Sequence, residues 1–97
     1  MQPLIIRPEA EADLAAAFDW YDGQIAGLGA EFLLTVEAVL GAIQRNPRQH
    51  PVIHDQTRRA LTRRFPFAVF YIAEAHAVIV LAILHARRDP QTWQHRQ

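Results

Sequence analysis

Apolar positions recur along this chain with two periods, and the changes of period divide it into elements. Leu4, Ile5 and Ile6 form a short run between Pro3 and Pro8, which predicts a first strand. Pro8 suits the first turn of a helix, and Glu9, Glu11 and Asp13 complement its positive end. Leu14, Phe18, Tyr21 and Ile25 then recur at helical spacing until Asp22-Gly23 and the Gly27–Gly29 pair break the pattern. Phe32, Val36, Val39 and Ile43, widened by Leu33 and Leu40, predict a second helix that Asn46-Pro47 ends. The two helices should pair as an antiparallel hairpin with one continuous apolar face.

Beyond Pro47 the period shortens. Residues 47–56 are polar and predict a loop, and Arg58 to Leu61 gives a weak strand signal. Phe65 to Ala73 and Ala77 to Ala86 are rich in aromatic and branched residues, and Glu74-Ala75-His76 joins them as a strand hairpin. From Arg87 onward the tail is polar apart from Trp93. This order predicts an α+β fold of two layers, β-α-α-β-β-β, with the helical hairpin on one face of a small, mostly antiparallel sheet.

A sheet covered on one face should alternate apolar and polar residues. These strands do not. Phe65, Phe67, Val69 and Tyr71 oppose Ala68, Phe70 and Ile72, while Val78, Val80, Ala82 and Leu84 oppose Ile79, Leu81 and Ile83. Both faces are apolar. The second therefore requires either a cover from another molecule or the folding of loop 47–56 and the tail across it.

Composition narrows the classes. At 97 residues the chain is expected to be one domain, 1–97, that buries about 65% of its unfolded surface. It has no Cys, which excludes disulfides, a thiolate nucleophile and Cys-based zinc sites. The apolar run 77–84 is too short to span a bilayer, and the N-terminus lacks a secretory pattern, so a cytoplasmic protein without membrane association is expected.

Zero net charge conceals an asymmetry. Residues 1–44 hold one Arg and seven acids, a net of −6, and residues 45–97 hold nine Arg and three acids, a net of +6. All ten cations are Arg, so lysine chemistry is excluded. Arg58-Arg59, Arg63-Arg64 and Arg87-Arg88, with Arg96 beyond, border the strands. Guanidinium forks bind carboxylate or phosphate in bidentate fashion, so these groups predict an anionic partner. His85, ending an apolar strand beside Arg87, is the one histidine placed like a general acid or base. His50 and His54 have the spacing of two ligands on a helix, but Pro51 between them breaks that helix and no third ligand follows, so no metal is expected. No phosphate loop or nucleophile elbow is present, and no cofactor is implied.

Pro8-Glu9-Ala10, Asp13-Leu14, Trp20-Tyr21, Gly29, Phe32, Ile43, Asn46-Pro47 and Pro51 occur in an order that continues to the other end of the chain. It continues with Arg59, Leu61, Arg64-Phe65-Pro66-Phe67, Phe70-Tyr71, Val80-Leu81-Ala82, His85, Arg87-Arg88-Asp89-Pro90 and Trp93. In this the sequence resembles the ParE branch of the RelE/ParE toxins of type II toxin–antitoxin, plasmid stabilisation-like modules. The resemblance implies a helical hairpin on a small sheet. It also implies a ParD-like antitoxin, in a hetero-oligomer, wrapped over the open sheet face.

Antitoxin contact is accordingly expected at Arg58, Arg59, Arg63, Arg64, Phe67, Val69 and Tyr71. Contact with the target is expected at Arg87, Arg88, Trp93 and Arg96. ParE-like proteins poison DNA gyrase, which implies inhibition by binding, without catalytic residues and without sequence-specific DNA binding by the toxin alone. RelE-like members instead cleave mRNA on the ribosome; that alternative would use His85 with Arg59, Arg64 and Arg87. Against it, Ala68 stands where those nucleases carry Arg, and Trp93 replaces their C-terminal Tyr, leaving no titratable proton there.

Overall fold

A computed structural model describes residues 2–96; Met1 and Gln97, at the ends of the two terminal segments considered above, lie outside the described residues. Strand β1 (Leu4–Ile6) leads into α1 (Pro8–Gln24) and α2 (Leu28–Arg45). Pro8 occupies the first turn of α1 with Glu9 and Glu11, as the sequence requires. Asp22 and Gly23 do not end that helix. The Asp22 carboxylate instead caps the next one, with Oδ1 accepting the N–H groups of Gly27 at 2.9 Å and Gly29 at 3.2 Å. Gly27 has φ of 91°, which a side chain would strain. At Gly29 the helices approach so closely that a Cβ would stand 2.8 Å from the Phe18 carbonyl oxygen.

Phe32, Val36 and Ile43 of α2 are fully buried, as their spacing predicts. From α1 the buried residues are Ala10 and Ala17, with Leu14 and Tyr21 packed against the core at its margin. Ile25 falls outside the helix and is exposed. Tyr21, Phe32, Phe65 and Phe67 form one aromatic cluster with ring centroids 4.8–5.9 Å apart.

The sheet has five strands in the order β1-β5-β4-β3-β2: β2 (Val52–His54), β3 (Thr57–Leu61), β4 (Phe67–Ala73) and β5 (Val78–His85) join β1. Only β1 and β5 run parallel; the other pairs are antiparallel. Two elements exceed the prediction. The expected loop 47–56 contains β2, three residues too short to show alternation, and the tail contains a helical turn, α3 (Gln91–Gln94). Strand β4 starts two residues late because Pro66 has no N–H for the ladder.

A bulge redistributes the two faces. Phe70 pairs with Ala82 but Tyr71 pairs with Val80, so Leu81 is an extra residue in β5. Because side chains alternate, one inserted residue exchanges the faces beyond it. Val78, Val80 and Ile83 consequently share the helix-side core, whereas Ala82 and Leu84 lie on the other side with Ala68 and Phe70. The strictly alternating assignment of β5 is thus corrected from Leu81 onward.

The second face is closed by the chain itself. Trp93, 5% exposed, stacks on Phe70 with centroids 4.6 Å apart and planes 18° from parallel. Ile53 and Ala86 pack around the same cluster of Ala68, Phe70, Ala82 and Leu84. Of the two covers the sequence allowed, loop and tail supply this one. Phe67, Val69 and Tyr71 are corrected too: they belong to the face under the helices, where Val69 and Tyr71 are fully buried, and cannot line an open sheet face.

Candidate partner-binding surfaces

With the sheet face closed, an open apolar groove of about 610 Å³ lies beside α2. Leu34, Thr35, Ala38, Val39 and Ala42 of α2 form one wall and Leu61 of β3 the other. Leu34 is 65% exposed and Leu61 59%, so the groove presents large apolar side chains to solvent. Arg63 and Arg64 stand at the end near the start of α2, and His50 at the end near its finish.

Arg64 is the most constrained of these. Its φ of 70° places a non-glycine residue in the left-handed region, at a cost of about 1 kcal/mol or more. In that conformation its guanidinium pairs with Glu31 at 3.0 Å and lies 5.4 Å from the Phe65 ring centroid. Both partners of the ion pair are largely exposed, so it contributes little stability and leaves the arginine available.

Arg58 points to the other end of the groove, where it donates to the carbonyls of Arg48 at 3.1 Å and His50 at 2.6 Å. Tyr71 donates to the Pro47 carbonyl at 2.6 Å, and together these bonds tie the segment after α2 to the sheet. Burial, reinforced by the Arg58 charge, holds the His50 imidazole below its ordinary pKa. Burial raises Tyr71, with Arg58 acting in the opposite sense. The Nε2 of His50 is buried without a hydrogen-bond partner.

A second feature is the basic end of the sheet. Phe67 pairs with His85, and Ala86 N–H donates to the Pro66 carbonyl at 2.8 Å, so the turn carrying Arg63 and Arg64 adjoins the segment carrying Arg87 and Arg88. Arg63, Arg64, Arg87 and Arg88 are all exposed, and only Arg64 is ion-paired among the described residues. Arg59 is separate: it pairs with Phe70 on the Trp93 face, whereas His85 lies across from Phe67 on the helix face. The set His85, Arg59, Arg64 and Arg87 therefore spans both faces and does not converge. His85 Nδ1 already accepts the Arg87 N–H at 3.0 Å.

Two tail residues expected at a target interface have structural work. Trp93 fills the second core. Arg96 forms a bidentate pair with Asp13, NH1 to Oδ2 at 2.6 Å and NH2 to Oδ1 at 3.3 Å, with side chains 18% and 11% exposed. The pair also serves the β5 edge beyond the reach of β1: Asp13 Oδ2 accepts the Ile83 N–H at 3.1 Å, and Arg96 donates to the Leu81 carbonyl at 3.2 Å. Both are corrected from contact residues to fold residues because little of either remains accessible.

Asp13, Glu31, Leu34, Leu61 and His50 were not singled out as site residues from the sequence. The wide apolar arc of α2 held the signal for Leu34, since an apolar stripe broader than one core needs exceeds what the sheet can cover. Asp13 gave none, because its partner is 83 residues away.

Among the described residues no helix is long and apolar enough to cross a membrane, and no three His, Asp or Glu side chains gather to hold a metal. No curated protein matches the sequence. The fold is similar to that of a chain of the chromosomal ParDE TA system from P. aeruginosa, with a TM-score of 0.78 over 88% of this chain and 96% of that one, at 21% identity. A sequence model described as the ParE toxin of type II toxin-antitoxin system, parDE, matches residues 4–90. The strand, helical hairpin and meander derived above occupy that whole span, and the chain belongs to the ParE toxin family.

Proposed function

We propose that this ParE-family toxin inhibits growth by binding and blocking DNA gyrase, and that a ParD-like antitoxin neutralises it by occupying the groove between α2 and β3. The observation that carries the antitoxin site is the combination of exposed Leu34 and Leu61 with Arg63 and Arg64 at one end. An acidic, amphipathic segment complements that combination, and the structurally similar P. aeruginosa chain comes from a ParDE system. Arg59 lies outside the groove and Arg58 is committed to the backbone, so Arg63 and Arg64 are the antitoxin anchors of this reading. Arg87 and Arg88 remain exposed for the target. Inhibition by binding needs no catalytic group, and the scattered positions of His85, Arg59, Arg64 and Arg87 favour that mode over nuclease chemistry.

The test uses purified toxin with a cognate ParD-like antitoxin. Arg64→Glu should weaken the complex by about tenfold or more, the lower end of what close interfacial charge pairs contribute. The double variant Arg87→Glu/Arg88→Glu should keep the complex and lose inhibition in a DNA supercoiling assay. Wild-type toxin that leaves supercoiling untouched but stops in vitro translation with cleaved mRNA would overturn the gyrase assignment.

A further inference from the structure

The helical hairpin carries a second apolar groove, of about 320 Å³, that the readings above leave unused. Ile6, Leu14, Phe18 and Leu33 line it, and Glu11 and Asp19 flank them along α1. It is separate from the groove between α2 and β3: Leu33 lines this one and its neighbour Leu34 the other. Residues 8–44 hold seven acids and no cation. Three of the acids are engaged, Asp13 with Arg96, Glu31 with Arg64, and Asp22 as a helix cap. Glu11 and Asp19 are exposed and form no ion pair among the described residues. Their positions on α1 set them about 12 Å apart along its axis. The groove therefore selects an occupant that is apolar between two cations at a similar spacing.

The chain presents that pattern at its own basic end. Strands β3 and β5 both run antiparallel to β4, so they finish at the same end of the sheet, with Leu61, Ala68 and Leu84 in register across the three. Two strand spacings, about 10 Å, separate β3 from β5 there. Arg63 follows the end of β3 and Arg87 the end of β5, each at the second residue beyond it, and exposed Pro66 precedes β4 between them. Both arginines are exposed and form no ion pair among the described residues. Two cations about 10 Å apart thus match two acids about 12 Å apart, a difference the long guanidinium stems absorb. Zero net charge removes any general repulsion between copies.

We infer that the occupant is a second copy of this chain: the end of one copy that carries Arg63, Pro66 and Arg87 docks on the acidic groove of another. The two surfaces differ, so the contact is head to tail. It also withholds Arg63 and Arg87 from the antitoxin and target proposed for them above, which makes self-association and those partners mutually exclusive.

Analytical ultracentrifugation of the full chain tests this. Wild type should self-associate at about 0.01 M salt, where the Debye length is about 30 Å, and far less at about 1 M, where it is about 3 Å. Glu11→Gln/Asp19→Asn and Arg63→Gln/Arg87→Gln should each weaken association by about tenfold or more. Mixing these two variants should restore a species of two chains and none larger, because one supplies an intact basic end and the other an intact groove. Asp55→Asn/Glu74→Gln removes the same charge at turns outside both surfaces and should associate as wild type does. Circular dichroism verifies each fold. Wild type that stays monomeric at low salt, a surface variant that associates as wild type does, or a mixture that stays monomeric would overturn the inference. An equal loss in Asp55→Asn/Glu74→Gln would assign the attraction to net charge alone and overturn it as well.

Discussion

Replacing Arg96 by Ala should unfold the protein at markedly lower temperature, although the residue lies at the end of an otherwise polar tail. Three bonds depend on its guanidinium: two to Asp13, at 2.6 and 3.3 Å, and one to the Leu81 carbonyl at 3.2 Å. Its removal leaves the Asp13 carboxylate, 11% exposed, with only the Ile83 N–H as partner. Breaking a buried pair costs about 3–5 kcal/mol; residual solvent access at both side chains reduces this to about 2–3 kcal/mol. In a chain of this length each kcal/mol lowers Tm by about 4–8 °C, so a fall of about 10–20 °C is expected. Asp13→Asn keeps an acceptor for Ile83 and should cost less, while the double variant should cost less than the two single losses added. Urea and thermal unfolding followed by circular dichroism supply the four values, and amide exchange at Ile83 reports the edge directly. A loss under about 0.5 kcal/mol for Arg96→Ala, or additivity within about 0.5 kcal/mol, would show that the pair is merely a surface contact.

Trp93→Ala should cost about 3–5 kcal/mol and open the Phe70 face to a hydrophobic dye; unaltered stability and no dye binding would show the second core to be dispensable. Gly29→Ala should destabilise by about 1–3 kcal/mol, since the new methyl meets a backbone oxygen at 2.8 Å; an unchanged unfolding midpoint would show that the hairpin yields there. His50 has a folded-state pKa below its unfolded value, so its contribution to stability is full above the ordinary histidine pKa and is lost as pH falls below it. Unfolding midpoints of wild type and His50→Phe should therefore run parallel above the ordinary histidine pKa and separate below it, wild type falling more steeply toward acid, and curves parallel throughout would refute the shift.

Local patterns predicted the helical hairpin and the order of strands because each is written in a few neighbouring positions. Phe32, Val36 and Ile43 show their burial by spacing alone. The second face was legible only as a problem: Ala68 and Phe70 announced that something must cover them, but Trp93 and Ile53 as the cover follow from a tertiary path. The Leu81 bulge could not be anticipated either. In an all-apolar strand, either parity buries hydrophobic residues, so the sequence of β5 is silent on which one holds. The basic residues were found as a class, yet their roles depend on partners far away in the chain. Arg96 meets Asp13 and Arg58 meets backbone carbonyls, whereas Arg63, Arg87 and Arg88 form no ion pair among the described residues.

The parallel pairing of β1 with β5 has a consequence for the order of folding. Leu4 faces Val78, so the first strand has no partner until nearly the whole meander exists. The helical hairpin and the β3–β4–β5 meander close short loops and are expected to form early, while the β1 contact closes a far longer one and comes late. In the interval, the edge of β5 at Val78, Ile79 and Val80 offers unpaired backbone groups along an apolar strand. A nascent toxin is therefore most prone to capture by another strand before its N-terminus has docked, and the speed of that one step sets how long the hazard lasts.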